Sequence, residues 1–272
     1  YSWEHFVQSN NRHYDYKVTD DHRLIAKAYT HGGYEENWRY MFADVFRKRW
    51  QRKKVPCAGY YKADGLNLNK YELWLIGFWI GDGSEHSSGY TFSQSERYKY
   101  LIDRLNYVLD DLEIEYTQRR VKKDSGYDTS NERYRWYVGK TNGIERVSDF
   151  LKKEIDNRLF EMTERQFLWF IMGLNDADGN KSEKNWKRKT RTITTGRKVV
   201  AEKLQRMFIL RGWRCNIKNG SENIWKVYAR PTNERTITYG EGRTDVNKVS
   251  AKGERVWCVR NEVGTIVTRR NG

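Results

Sequence analysis

The chain is short of cysteine, of acid and of any long apolar run. Cys57, Cys215 and Cys258 are its three cysteines among 272 residues. The number is odd and no two are spaced as CxxC. Neither a disulfide framework nor a cysteine-built zinc site is therefore expected, and an intracellular, reducing compartment (cytoplasm, nucleoid or nucleus) is. The longest strongly apolar stretch, Leu73 to Gly81, has nine residues, against the roughly 20 that a membrane span needs. No secretory leader opens the chain, and its start on Tyr1 leads us to expect a fragment or a processed product. Acids are outnumbered, with 36 Asp plus Glu against 51 Lys plus Arg, a formal charge of +15 and a pI of about 9.6. A field of that sign attracts polyanions and makes nucleic acid the expected partner. The 15% aromatic content argues against a disordered basic tail.

What the chain does have is a repeat. Leu75-Ile-Gly-Phe-Trp-Ile-Gly-Asp-Gly83 and Ile171-Met-Gly-Leu-Asn-Asp-Ala-Asp-Gly179 are both apolar runs that end in Asp-Gly. Gly77 and Gly173, Asp82 and Asp178, and Gly83 and Gly179 each stand 96 residues apart. A carboxylate at the end of a buried helix is costly and opposes the helix dipole. Stability alone would not place one there twice, so the pair predicts one active site built from two halves. Gly77, which costs about 1 kcal/mol against Ala inside a helix, points to close approach of another backbone.

The periodicity repeats as well. It predicts strands over 14–19 and 23–29, then a basic run from Arg47 to Lys54 that leads through Pro56 and Gly59 as a linker. A buried helix over 70–81 and an amphipathic helix over 95–112 come next, followed by strands over 113–121 and 133–138 and a helix over 142–155. The second half predicts a helix from Thr163, capped with Gln166, to about Ala177. A strand over 190–195, an amphipathic helix over 198–211 and strands over 213–218 and 224–230 complete it. Two strands, 255–259 and 265–268, end the chain. A shorter echo, Trp136-Tyr-Val-Gly-Lys140 against Trp225-Lys-Val-Tyr-Ala-Arg230, places Lys140 opposite Arg230. Two copies of about 90 residues each make duplication the architecture.

Paired oxygen ligands suit hard divalent cations, and cleavage of a phosphodiester is the chemistry that two such ions serve. Asp82 and Asp178 are the candidates. The span after Asp178 reads as a basic hairpin whose Lys181, Lys184, Trp186, Lys187, Arg188, Lys189 and Arg191 suit phosphates or guanine edges. Gln94, in the polar span after Asp82, and Arg119 and Arg120 in the following strand pair are further DNA-contact candidates.

At these residues the chain resembles the LAGLIDADG homing endonucleases. The resemblance covers about residues 66 to 240 and implies an α+β fold, a pseudo-twofold αββαββα duplication with two saddle-shaped sheets on double-stranded DNA. It implies that Asp82 and Asp178, with Gly81 and Ala177 beside them, hold two or three Mg²⁺ ions at the repeat interface. It also implies that each half cuts one strand, with Lys140, and more weakly Arg230, as the supporting basic residue. The first copy departs from the pattern, with Ile80-Gly81 in place of Asp-Ala. A monomeric pseudo-dimer cutting a long, non-palindromic site is expected.

The flanks resemble inteins with a split, all-β Hint domain. Thr19-Asp-Asp-His22 is similar to the T-x-x-H block, and Val256-Trp-Cys-Val259 to a later block in which Cys258 takes a position that often holds Asp or Cys. The resemblance divides the chain into residues 1–62 and 246–272 as Hint-like flanks, and residues 63–160 and 161–245 as the two repeats. No nucleophile opens the chain and no His-Asn pair closes it, so it is not expected to splice as it stands. The alternatives are a splicing element carrying a passenger endonuclease, and a maturase that binds nucleic acid without cutting.

Overall fold

The computed structural model describes residues 5–11, 14–48, 52–121, 132–179, 190–221, 223–237 and 246–250. The chain forms two compact units. One holds residues 1–61, 205–217 and 229–272, and the other residues 62–204 and 218–228.

The first unit opens with β1 (His5–Asn11), β2 (Tyr14–Thr19), β3 (Arg23–Thr30), β4 (Gly33–Tyr34), β5 (Arg39–Phe42), α1 (Ala43–Lys48) and β6 (Lys53–Pro56). The alternation of β3 buries Leu24, Ala26 and Ala28. Leu24 and Ala26 pack with Met41, Ala43, Phe46, Val55 and Ile237. The segment read as a basic linker is therefore partly core. Lys53 is wholly buried, with its ammonium 5.3 Å from the Phe46 ring centre. Lys54 pairs with Glu234 at 2.8 Å.

The second unit is built on α2 (Lys70–Asp82), followed by β7 (Gly83–His86), β8 (Gly89–Ser95), α3 (Lys99–Asp111), β9 (Thr117–Val121), β10 (Arg133–Gly139) and α4 (Glu145–Ser148). The αββαββα order is thus complete in the first half. A 3-10 turn (Asn157–Glu161) leads into α5 (Glu164–Asp178) and β11 (Arg191–Thr195). Beyond these come α6 (Lys198–Ile209), β12 (Arg214–Ser221), β13 (Ile224–Arg230), β14 (Glu234–Ile237) and β15 (Val246–Ser250). The unit boundary passes through α6, β12 and β13. The antiparallel sheet β7-β8-β10-β9 covers the first half, and β11-β13-β12 forms a second sheet. In the first unit, β1 pairs with both β2 and β15, while β14-β6-β3-β4, with β5 also on β3, makes a further sheet.

Both motif helices start with a capping box, Asn69 with Glu72 and Thr163 with Gln166. Both end on an extended glycine whose N–H donates back to the helix, Gly83 to Trp79 and Gly179 to Asn175. All nine residues from Glu72 to Ile80 are buried. The expected helix over 142–155 is reduced to the single turn of α4. Its last carbonyls are taken by side chains instead of helical N–H groups, Lys153 by Arg197 and Ile155 by Lys203. The helix expected over 95–112 starts at Lys99, because Ser95 still belongs to β8. In α6 the buried face is Val200, Ala201, Leu204, Met207 and Phe208, while Val199 is 49% exposed.

Candidate active site at the ends of the paired helices

The two motif helices lie against each other through their glycines. A Cβ on Gly77 would fall 2.1 Å from the Phe170 carbonyl oxygen, and one on Gly173 would fall 1.9 Å from that of Trp74. These contacts are mirror images, because Phe170 follows Trp74 by the same 96 residues that separate the glycines. The pseudo-twofold axis therefore runs between α2 and α5. Near it, a Cβ on Gly81 would meet the Ala177 methyl at 2.5 Å and the Asp178 carboxylate at 3.0 Å. The glycine at position 81, a departure from the motif, is what admits Ala177 and Asp178 so close to the end of α2.

Asp82 and Asp178 line one cleft of about 340 Å³ with Ser93, Gln94, Ser95, Arg97, Tyr98, Arg133, Ala177 and Gly179. Asp82 is half-buried and Asp178 exposed. Gln94 is buried and donates its side-chain amide to Asp82 at 3.3 Å, while its oxygen accepts from the Ser95 N–H at 2.8 Å. Gln94, expected among the DNA contacts, thus serves Asp82. Among the described residues no group of three His, Cys, Asp or Glu side chains is placed to hold a metal. The two carboxylates are hard oxygen donors that suit Mg²⁺ or Ca²⁺ better than a soft metal.

Arg97 and Arg133 are the basic residues that line the cleft, and a further basic residue, Lys153, stands at the end of α2. Its ammonium donates to the carbonyls of Trp79, Ile80 and Gly81 at 3.0, 3.2 and 3.1 Å. It thereby caps the negative end of α2 and offsets the cost of an acid there. Burial, then the nearby Arg197 guanidinium, push Lys153 down to about 8 against the pull of Asp178 and Asp82. The Gly81 carbonyl is therefore taken by an ammonium. Replacing Lys153 with Met should loosen the helix end by about 1–2 kcal/mol. Thermal unfolding reads this directly, and an unchanged midpoint would show that the ammonium holds nothing.

Lys140 is not brought to the cleft. It follows the far end of β10, its Nζ 3.9 Å from Glu85, and at about 3.3 Å per residue lies roughly 20 Å along the strand from Arg133. Arg230 ends β13 and belongs to the other compact unit.

Strand alternation sorts the arginines of the first sheet. Tyr90, Phe92, Trp136 and Val138 face the core. Arg133 pairs with Ser95, and Arg135 lies between Ser93 and Arg119, so these residues and Tyr137 share the opposite face. The Arg119 guanidinium lies 5.7 Å from the Tyr137 ring centre. No acid stands on that face among the paired positions, and two arginines sit directly opposite each other, which costs stability. Arg120 points the other way and is held by Glu96 at 2.8 Å and by Glu132. Its two carboxylates remove it from the DNA-contact set.

Arg191 opens β11 half-buried, pushed down by burial and pulled up by Asp176, with its Nη1 donating to the Thr190 carbonyl. It is not an exposed phosphate contact. Lys181, Lys184, Trp186, Lys187, Arg188 and Lys189 lie outside the described residues, as does Cys258. Asp176, which the sequence reading passed over, accepts from the Trp74 indole at 2.9 Å and from Arg104 at 2.6 Å and ties α5 to α2 and α3. Thr19 and His22 share a turn in which Thr19 donates its hydroxyl to Asp21 at 2.7 Å. Cys57 and Cys215 are free thiols. Among the described residues no helix is long and apolar enough to cross a membrane.

No family model matches the chain, and no curated protein does. Solved structures are similar over part of it. The homing endonuclease I-DmoI, in complex with DNA and Mn, is 20% identical at a TM-score of 0.42, covering 59% of this chain and 89% of its own. The N-terminal LAGLIDADG domain of DUF199/WhiA is 15% identical at 0.40, covering 60% and 76%. Full-length DUF199/WhiA from Thermatoga maritima is 14% identical at 0.43, covering 61% and 53%. At such scores the likeness decides neither fold nor activity, and the geometry of the two helix ends carries the weight.

Proposed function

We propose that the chain is a divalent-metal-dependent DNA endonuclease of the LAGLIDADG type, in which each half cuts one strand of a long, non-palindromic duplex site. The observation that carries this reading is the mirror-image helix pair that sets Asp82 and Asp178 in one cleft. That cleft continues through Ser93, Ser95 and Arg133 into a sheet face rich in Arg, Ser and Thr.

Asp82 and Asp178 would hold the ions, with Mg²⁺ as the expected metal. Ala177 lines the same cleft, and Gly81 joins only if Lys153 gives up its carbonyl. Bound there, the ions would lower the pKa of a water and neutralise phosphate charge. The protein's own part is to orient. Gln94 fixes the Asp82 carboxylate, Lys153 holds the end of α2, and Arg119, Arg133 and Arg135 place the phosphate backbone. Incubating the protein with a randomised duplex pool in Mg²⁺ and sequencing the ends is the test. Recurrent breaks at one asymmetric site with a short stagger are expected, and tight binding without cleavage would favour a maturase-like binder.

Replacing Arg119 and Arg135 together with Gln should weaken binding and lower the slope of log K on log salt by about 1.8, at about 0.9 per phosphate contact. Arg120→Gln should leave that slope nearly unchanged. Titration by fluorescence anisotropy at several salt concentrations separates the two.

The finer reading is an intein origin. Its support is the order of the flanking blocks and the pairing of β1 with β15, which joins residues on both sides of the repeats. The host gene tests it. A Cys or Ser splice nucleophile upstream and His-Asn downstream are expected, and an independent short reading frame would overturn it.

A further inference from the structure

Three arginines of the first unit gather where, among the described residues, no acid pairs with them. Arg214 opens β12, Arg230 ends β13 and Arg235 lies in β14 opposite Val55. The loop from 230 to 234 ties them together. The Arg214 N–H donates to the Thr232 carbonyl at 2.8 Å, the Thr232 N–H to the Arg230 carbonyl at 2.8 Å, and the Cys57 N–H to the Asn233 carbonyl at 2.6 Å. Burial above all pushes Arg214 down, with Arg230 and Arg235 adding to it, and burial pushes the Cys57 thiol up against the pull of Arg214 and Arg235. The Nε of Arg235 is buried without a hydrogen-bond partner. The one acid of this loop, Glu234, turns to Lys27 and Lys54 instead. Among the described residues none of the three arginines has a carboxylate partner.

Guanidinium groups that one loop brings together without a carboxylate are costly unless an anion is meant to complete them. Their fork matches phosphate oxygens in a bidentate manner. We infer that Arg214, Arg230 and Arg235 form an accessory phosphate-binding site for the nucleic-acid backbone, separate from the sheet face that carries Arg119, Arg133 and Arg135. This rests on the reading of the chain as a DNA-binding nuclease. The site would add affinity without reading sequence, because phosphate contacts position a protein on duplex and carry no base information.

The experiment is arginine footprinting with phenylglyoxal on the full chain, free and bound to duplex DNA, with adducts located by mass spectrometry. Arg214 and Arg230 are expected to be protected together with Arg119. Protection of Arg119 with unchanged modification of Arg214 and Arg230 would overturn the accessory site and leave the nuclease reading intact. Protection of none of them would overturn the DNA reading itself. As a second measurement, Arg214→Gln combined with Arg230→Gln should lower the salt slope by about 1.8. A wild-type slope in a variant that unfolds at the wild-type temperature would contradict the assignment, and a competition arm with inorganic phosphate would show whether the free anion alone occupies the site.

Discussion

Asp82→Asn and Asp178→Asn are each expected to lower double-strand cleavage by at least about 10³-fold, since the metal-held charge proposed for them would be worth several kcal/mol in the transition state. The amide is nearly the size of the carboxylate, so the fold should survive. Stability should change little, because relief of the helix dipole is set against loss of the attraction of Asp82 and Asp178 for the Lys153 ammonium. Loss of activity together with a nearly equal unfolding temperature is the signature of a functional acid. An acid kept for structure would show the reverse. The two variants should also differ, because Asp82 has Gln94 as a donor while Asp178 is the more exposed. End-labelling each strand separately reads which half has failed.

The second large effect is mechanical. Gly77→Ala would drive a methyl to 2.1 Å from the Phe170 carbonyl oxygen, and Gly173→Ala would drive one to 1.9 Å from that of Trp74. The obstacles are backbone atoms of the partner helix, so no side-chain rotation relieves the clash. Overpacking of this kind costs about 1–3 kcal/mol and at times more. A loss of about 3 kcal/mol, or failure to fold, is expected here, with cleavage lost even in folded protein because the helix ends part. Gly196→Ala is the control. Its nearest contact would be the Asn223 carbonyl oxygen at 3.6 Å, and a change within about 0.5 kcal/mol is expected. Chemical denaturation of the three variants decides the matter. Equal stabilities would mean that the glycines do not set the helix contact.

The paired motifs were legible because continuous apolar runs, capping residues and glycines at fixed spacing are local signals. Thr163 with Gln166 is such a signal, and the structure forms that capping box. Residues that act across the fold were not legible. Lys153 and Lys140 look alike in sequence, and only tertiary packing carries one to the end of α2. Arg119 and Arg120 are neighbours that strand alternation sends to opposite faces, and the register that decides which face is open depends on β10. Lys53 read as part of a basic run because nothing local reveals that β6 is held between β3 and β14. The overcalled helix over 142–155 has helical spacing in its buried residues Ile144, Val147, Leu151 and Ile155. Side chains from 44 and 48 residues further on take its carbonyls, and no local pattern announces that.

The central claim is that Asp82 and Asp178 together make one metal site. The most direct measurement is anomalous scattering from Mn²⁺ in crystals of the protein bound to its selected duplex. Density is expected in the cleft against both carboxylates, and it should vanish when both are changed to Asn. Manganese bound elsewhere, or retained in the cleft of the doubly substituted protein, would contradict the account.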